Sequence, residues 1–160
     1  MAQQNELILP SVEVTIDGET YEIRMLDGTV GFPLYTRLIS CAGNAIKELG
    51  KLDGSQEELA MRAIGALLTG LPQDLYEQAR ALFAESTVLH KADGKKPRLK
   101  NVFGTHFAGR YAHMTKWMIE CFKVNFADFL DESGPLADMI ALAAKVSQSQ
   151  TTSIGSPSAS

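Results

Sequence analysis

The stretch His106–Leu130, HFAGRYAHMTKWMIECFKVNFADFL, decides how this chain is read. It carries His106, His113, Cys121, the single tryptophan (Trp117) and the phenylalanines 107, 122, 126 and 129. Such residues either do chemistry or pack. With Phe107 as origin and about 100° per residue, Phe107, Tyr111, Met114, Met118, Cys121, Phe122, Asn125 and Phe129 fall within a band of roughly 100°. That is the width of a core-facing stripe on one long helix, predicted from Gly104 or Thr105 to Asn125. Lys116, Glu120 and Lys123 take the solvated face. Trp117, His113 and Val124 lie between the two. They are either the edge of a wide core or a partner-binding strip, because tryptophan at a half-exposed flank is a common interface anchor. Cys121, among aromatic and Met neighbours, reads as an unreactive packing residue. Seven residues separate His106 from His113, roughly 10 Å along a continuous helix, which is too far for one metal ion. The sequence therefore predicts no metal site and no catalytic residue.

Outward from this stretch, the pattern changes period. Residues 12–26, VEVTIDGETYEIRML, alternate apolar and polar around Asp17-Gly18, the signature of a β-hairpin, with Glu19 either in the loop or in the strand. Pro33 opens a helical stripe of Tyr35, Leu38, Ile39, Ala42, Ala45, Ile46 and Leu49, with Gly50 at the C-cap position. Ser55-Gln56-Glu57-Glu58 is a capping box that starts a second helix with Ala60, Ile64, Leu67 and Leu68 on one face. Pro72 suits the first turn of a third, with Leu75, Ala79, Leu82 and Phe83 inward. Thr87–Leu89 and Leu99–Val102 flank KADGKKPRLK and are placed to form a second small hairpin. Five of the ten residues 91–100 are basic. Ser133-Gly134-Pro135 begins a last helix with Leu136, Met139, Ile140, Ala143 and Val146 inward. From Ser147 the chain is uncharged and rich in Ser and Thr, a composition that does not offset ordering entropy. The expectation is an α+β, mostly α-helical fold. It has an N-terminal hairpin, about five helices and room for a second hairpin, in a single globular domain over 1–146, with a disordered tail at 147–160.

Composition narrows the function classes. An apolar fraction of 45% and a charged fraction of 21% are ordinary for a globular chain, and a formal charge of −4 argues against general affinity for nucleic acid or acidic membrane. Two cysteines make no disulfide framework, which fits a reduced compartment. No apolar run reaches the length of a membrane span, and MAQQNELILP lacks the pattern of a signal peptide. There is no G-x-S-x-G, P-loop or G-x-G-x-x-G. The basic loop 91–100 is either a solvated tip or a phosphate contact. The latter gives the rival reading, a small nucleic-acid-associated regulatory protein.

The run Val102–Leu130 resembles the C-terminal signature of tail assembly chaperones of tailed bacteriophages. The resemblance rests on a Phe-x-x-His-Phe-x-Gly-Arg segment (Phe103, His106, Phe107, Gly109, Arg110) followed by Val-Asn-Phe-x-x-Phe (Val124, Asn125, Phe126, Phe129). It is sharp over 102–130 and extends loosely over about 12–146. It implies a protein without catalysis or cofactor that binds the tape measure protein in the infected cell. It would keep that client soluble until the tail tube polymerises, and be absent from the virion. It also implies a longer form, made by a programmed frameshift, that recruits tail tube protein. Homo-oligomerisation is left open. Met114, Met118, Met139 and the flank of His113, Trp117 and Val124 are the candidate client contacts, since flexible, polarizable side chains accept helices of varied sequence. Asn125 is expected to cap the end of the long helix and fix the turn into Phe126 and Phe129.

Overall fold

The computed structural model describes residues 9–49, 51, 53–131 and 133–151. Its elements are β1 (Ser11–Ile16), β2 (Glu19–Arg24), α1 (Gly28–Leu49), α2 (Gln56–Gly70), α3 (Gln73–Ser86), β3 (Thr87–His90), α4 (Leu99–His106), α5 (Tyr111–Asn125), α6 (Ala127–Leu130) and α7 (Pro135–Thr151). The chain divides into two compact units, Met1–Thr36 with Pro72–Asn125, and Arg37–Leu71 with Phe126–Ser160.

The first unit is built on an antiparallel sheet in the order β1-β2-β3. Asp17 and Gly18 take φ of 48° and 86°, the pair of positive values that a two-residue type I′ turn needs. Ile16 pairs with Glu19, so Glu19 belongs to the strand, and the inward face of β2 reads Glu19, Tyr21, Ile23. Tyr21 and Ile23 are fully buried, and Leu89 and Thr87 of β3 pair with them. Helices α3 and α5 pack on this sheet. On α3, Leu75, Ala79, Phe83 and Ala84 are buried; Leu82 is only half-buried.

Two expectations are corrected here. Thr87–His90 pairs with β2 and not with Leu99–Val102. The chain does turn back after β3, with Leu89 N–H on Pro97 O, Lys91 N–H on Lys95 O and a bridge between Val88 and Arg98, but it pairs there through 95–98, and Leu99 opens α4. An unpaired edge of an existing sheet offers a full ladder, which a short isolated hairpin does not. The long helix is also two helices. Phe107 N–H closes α4 on Phe103 O at 3.1 Å, Arg110 N–H bonds Phe107 O at 2.9 Å, and Gly109 sits at φ 69°. The left-handed residue ends one helix and lets the next start in a new direction.

Helix α1 also begins earlier than Pro33. The Asp27 side chain accepts from Thr29 N–H at 2.7 Å, and its carbonyl accepts from Val30 and Gly31. Pro33 lies inside the helix, where its ring costs one backbone bond, and the Asp27 cap sets the true start. Leu34 is buried in the first unit, and Leu38 and Ala42 are buried in the second. Ala45, Ile46, Leu49 and Gly50, expected on this stripe and its cap, have side chains outside those described.

The second unit is helical. The capping box at Ser55 is complete, with Ser55 Oγ taking Glu58 N–H and Glu58 reaching back to Ser55 N–H. Ala63 and Ile64 are buried on α2, Phe129 on α6 and Leu136 on α7. Gly134 stands where a Cβ would lie 2.3 Å from Asp128 O, so only glycine fits between α6 and α7. Helix α7 continues through Thr151, five residues into the segment that composition assigned to the tail. Residues 152–160 of that expected tail lie outside the described residues.

Candidate functional site

The helix break re-phases everything after it. On α5 the buried residues are His113, Trp117, Met118, Cys121 and Phe122, while Tyr111, expected in the core, is 69% exposed. A wheel started at Phe107 carries its phase through a joint that does not keep it. Trp117, expected at a half-exposed flank, is fully buried, with Phe103 and Phe107 at ring-centroid distances of 5.6 Å each. His113 is buried beside it and Val124 is half-buried. Of the expected strip His113, Trp117 and Val124, only Val124 keeps partial exposure. Met118 is inside as well.

The same joint brings together what the sequence held apart. Tyr21 Oη lies 2.7 Å from His106 Nε2, 2.7 Å from His113 Nε2 and 3.2 Å from Glu19 Oε2. His113 Nε2 is 3.0 Å from Glu19 Oε2, and its Nδ1 is 3.1 Å from Asp17 Oδ2. Arg110 donates to Glu19 through both terminal nitrogens and to His106 O at 3.3 Å. Lys116 Nζ holds Asp17 at 2.9 Å. The hairpin turn, its first strand residue and the α4–α5 joint thus form one polar cluster. The distance argument against the two histidines sharing a ligand assumed a continuous helix, and it fails because the chain folds back between them.

Charge follows the contacts. The Arg110 guanidinium holds the Glu19 carboxyl below the ordinary range, against the opposing effect of burial. Lys116 first, and His113 second, do the same for Asp17. Burial pushes the Tyr21 phenol well up, and the Glu19 charge adds to it. Burial pulls His106 down, with Glu19 opposing. The Cys121 thiol is raised by complete burial, the opposite of what a nucleophile needs.

Among the described residues, two groups bring three ligand-type atoms within 4.8 Å of one another: Glu19, His106 and His113, and, on the outward sheet face, Glu13, Glu22 and His90. In the basic loop, Lys95 Nζ is 3.8 Å from Asp93 and Lys100 Nζ is 2.9 Å from Glu85, which also feels the charge of Arg98.

The resembling motif maps onto the joint and its exit. Phe103 and Phe107 wrap Trp117, His106 and Arg110 belong to the polar cluster, and Gly109 makes the turn. Asn125 Nδ2 donates to Cys121 O at 2.9 Å in the last turn of α5, and its Oδ1 accepts from Leu26 N–H at 2.7 Å. Phe126 precedes α6 and Phe129 is buried in it. Sequence reading missed Asp17, Glu19 and Tyr21. The alternation did place Tyr21 inward, but nothing local connects it to residues 85 and 92 positions away.

No helix among the described residues is long and apolar enough to cross a membrane. No curated protein and no solved structure matches the chain. A family model described as phage tail assembly chaperone protein, TAC, matches residues 17–137. That span runs from the hairpin turn through the joint and into α7, so it covers both the cluster and the motif, and the chain belongs to the phage tail assembly chaperone family.

Proposed function

We propose that this chaperone is non-catalytic, binds the tape measure protein in the cytoplasm of the infected bacterium and keeps it soluble until the tail tube polymerises, without entering the virion. The family match over residues 17–137 carries this reading. A holding chaperone must present apolar surface to an amphipathic helical client. With Trp117 and Met118 enclosed, the surface on α7 is the better candidate. Leu142 is 64% exposed and Val146 51%, with Met139 half-buried on the same side at i, i+3, i+7 spacing. A longer frameshifted form that engages tail tube protein belongs to the same proposal, and a slippery codon run near the end of the reading frame would support it.

The test is co-expression with the large helix-rich protein encoded just downstream, followed by pull-down and a solubility assay. Soluble, co-purifying partner supports the proposal. Leu142→Asp with Val146→Asp should abolish that effect while the variant keeps its helical circular dichroism. A partner that neither binds nor gains solubility would sink the client assignment. Retained activity in the double variant would move the contact off α7.

A further inference from the structure

We propose that Glu19, His106 and His113, with Tyr21 as fourth ligand once the metal displaces its hydroxyl proton to solvent, form a tetrahedral site for a divalent transition metal, best suited to zinc. This goes beyond the chaperone reading and does not depend on it.

The first argument is geometric. Zinc bonds of about 2.0–2.1 Å in a tetrahedron place ligand atoms roughly 3.3 Å apart. Here Glu19 Oε2 is 3.0 Å from His113 Nε2 and 3.7 Å from His106 Nε2, and Tyr21 Oη is 2.7, 2.7 and 3.2 Å from the other three atoms. Those distances scatter about the edge of a zinc tetrahedron. The ligand types, two imidazoles and two oxygens, suit zinc better than calcium or magnesium.

The second argument is a count of protons. Tyr21 brings one hydroxyl proton to Glu19 and two ring nitrogens, of which His106 Nε2 can itself donate to the phenol oxygen. His113 Nδ1 is occupied with Asp17, so a neutral ring leaves Nε2 as a bare lone pair, 3.0 Å from a carboxylate oxygen that also has only lone pairs. Something positive belongs between them, either a second proton on the ring or a metal ion. A second proton on His113 would satisfy the cluster by hydrogen bonds alone, with Tyr21 donating to His106 and Arg110 to Glu19, whereas an ion would engage all four atoms directly; the experiment separates the two.

The outer shell is also in place. Asp17 on His113 Nδ1 is the carboxylate–histidine pairing that fixes a ligating ring, and Arg110 and Lys116 hold the two carboxylates. Access exists through an open cleft of about 690 Å³ lined by Glu19 and His106. The other candidate group has Glu13 at 66% side-chain exposure and no comparable support, so it serves as the internal control.

The experiment uses the full chain with any affinity tag removed, stripped with chelator and titrated with Co²⁺, then with Zn²⁺ in competition with a chromophoric chelator. One equivalent of Co²⁺ with the intense visible bands of tetrahedral coordination is expected. His106→Gln should remove those bands. Asp17→Asn, which leaves the ligands intact, should weaken zinc about 10–100-fold. Glu13→Gln should change nothing. Should His106→Gln misfold by circular dichroism, X-ray absorption on the zinc-loaded wild type decides, with two imidazole scatterers expected. Absent or octahedral Co²⁺ binding overturns the site, as does unchanged binding in folded His106→Gln. Nitrogen shifts showing a doubly protonated His113 ring in metal-saturated protein would do the same, leaving a hydrogen-bonded cluster alone.

Discussion

The two units keep their apolar residues differently. Among the described residues, the ten largest fully buried side chains, from Trp117 and Tyr21 to Thr87 and Cys121, all belong to the unit of Met1–Thr36 and Pro72–Asn125. The other unit buries smaller patches, Leu38, Ala42, Ala63, Ile64, Phe129 and Leu136; both leave large apolar residues outside, Val12, Val30, Phe32 and Tyr111 in the first and Met61, Leu142 and Val146 in the second. One unit is over-determined by aromatic packing and a polar cluster. The other has helices whose apolar faces are only partly used. The client binding proposed above would need both, a frame that does not yield and a surface that is not yet satisfied.

The largest effect is expected at Trp117. Trp117→Ala should cost about 3–5 kcal/mol, by urea denaturation followed in the far-ultraviolet circular dichroism, because a fully buried ring leaves a cavity between Phe103 and Phe107. A loss below 1 kcal/mol would return the residue to the surface and erase the contrast. Leu136→Ala, in the second unit, should cost about 2 kcal/mol, the low end for such truncations, because a thinly covered site collapses more readily. A loss equal to that of Trp117→Ala would show the two units to be equally tight.

Smaller changes sharpen the picture. Ser55→Ala should remove about 1 kcal/mol, since it takes away the Ser55 Oγ acceptor of Glu58 N–H and leaves only the backbone half of the α2 capping box. The measurement is the same denaturation midpoint, at unchanged slope. The smallest effect is a dependence on pH at the start of α1. Thr29 holds the Asp27 carboxyl below its ordinary value, so the unfolded chain takes the proton first as pH falls. That stabilisation is complete above about pH 4 and is lost as pH falls through the folded value. Amide protection at Thr29 and Val30, relative to intrinsic exchange at the same pH, should fall over that window, and Asp27→Asn should flatten the response.

Much of the fold was legible in the sequence because its signals are local. Asp17-Gly18 specifies its turn, Ser55 and Glu58 specify their cap, and the 3.6-residue stripes of α2 and α3 need no partner to be seen, whereas on α7 Val146, expected inward, is 51% exposed. The misreadings share one cause. A wheel drawn from Phe107 assumes that helical phase continues, and Gly109, the residue that stops it, looks harmless within an otherwise helical pattern. From that one break followed the wrong side for Trp117 and Tyr111, and the wrong distance for His106 and His113. Pro33 misled in a similar way, because a proline near a helix start looks like the start until the Asp27 cap is seen. The cluster around Tyr21 was illegible for a different reason. Its members come from a strand and from two helices far along the chain, and no local pattern encodes that meeting.

The joint at Phe107–Arg110 has a consequence for how this chain can change length. His106 and His113 both reach the same phenol oxygen, so the number of residues between them is a spacer of set size. Deleting one would turn α5 by about 100° about its axis and bring Met114 to the place of His113, with every buried side chain after it displaced alike. Substitution within the spacer, at Ala108 for example, should be mild by comparison. A residue gained or lost at the exposed tip of Ala92–Lys96 shifts no helix phase. In this protein the joint tolerates a change of letter far better than a change of count.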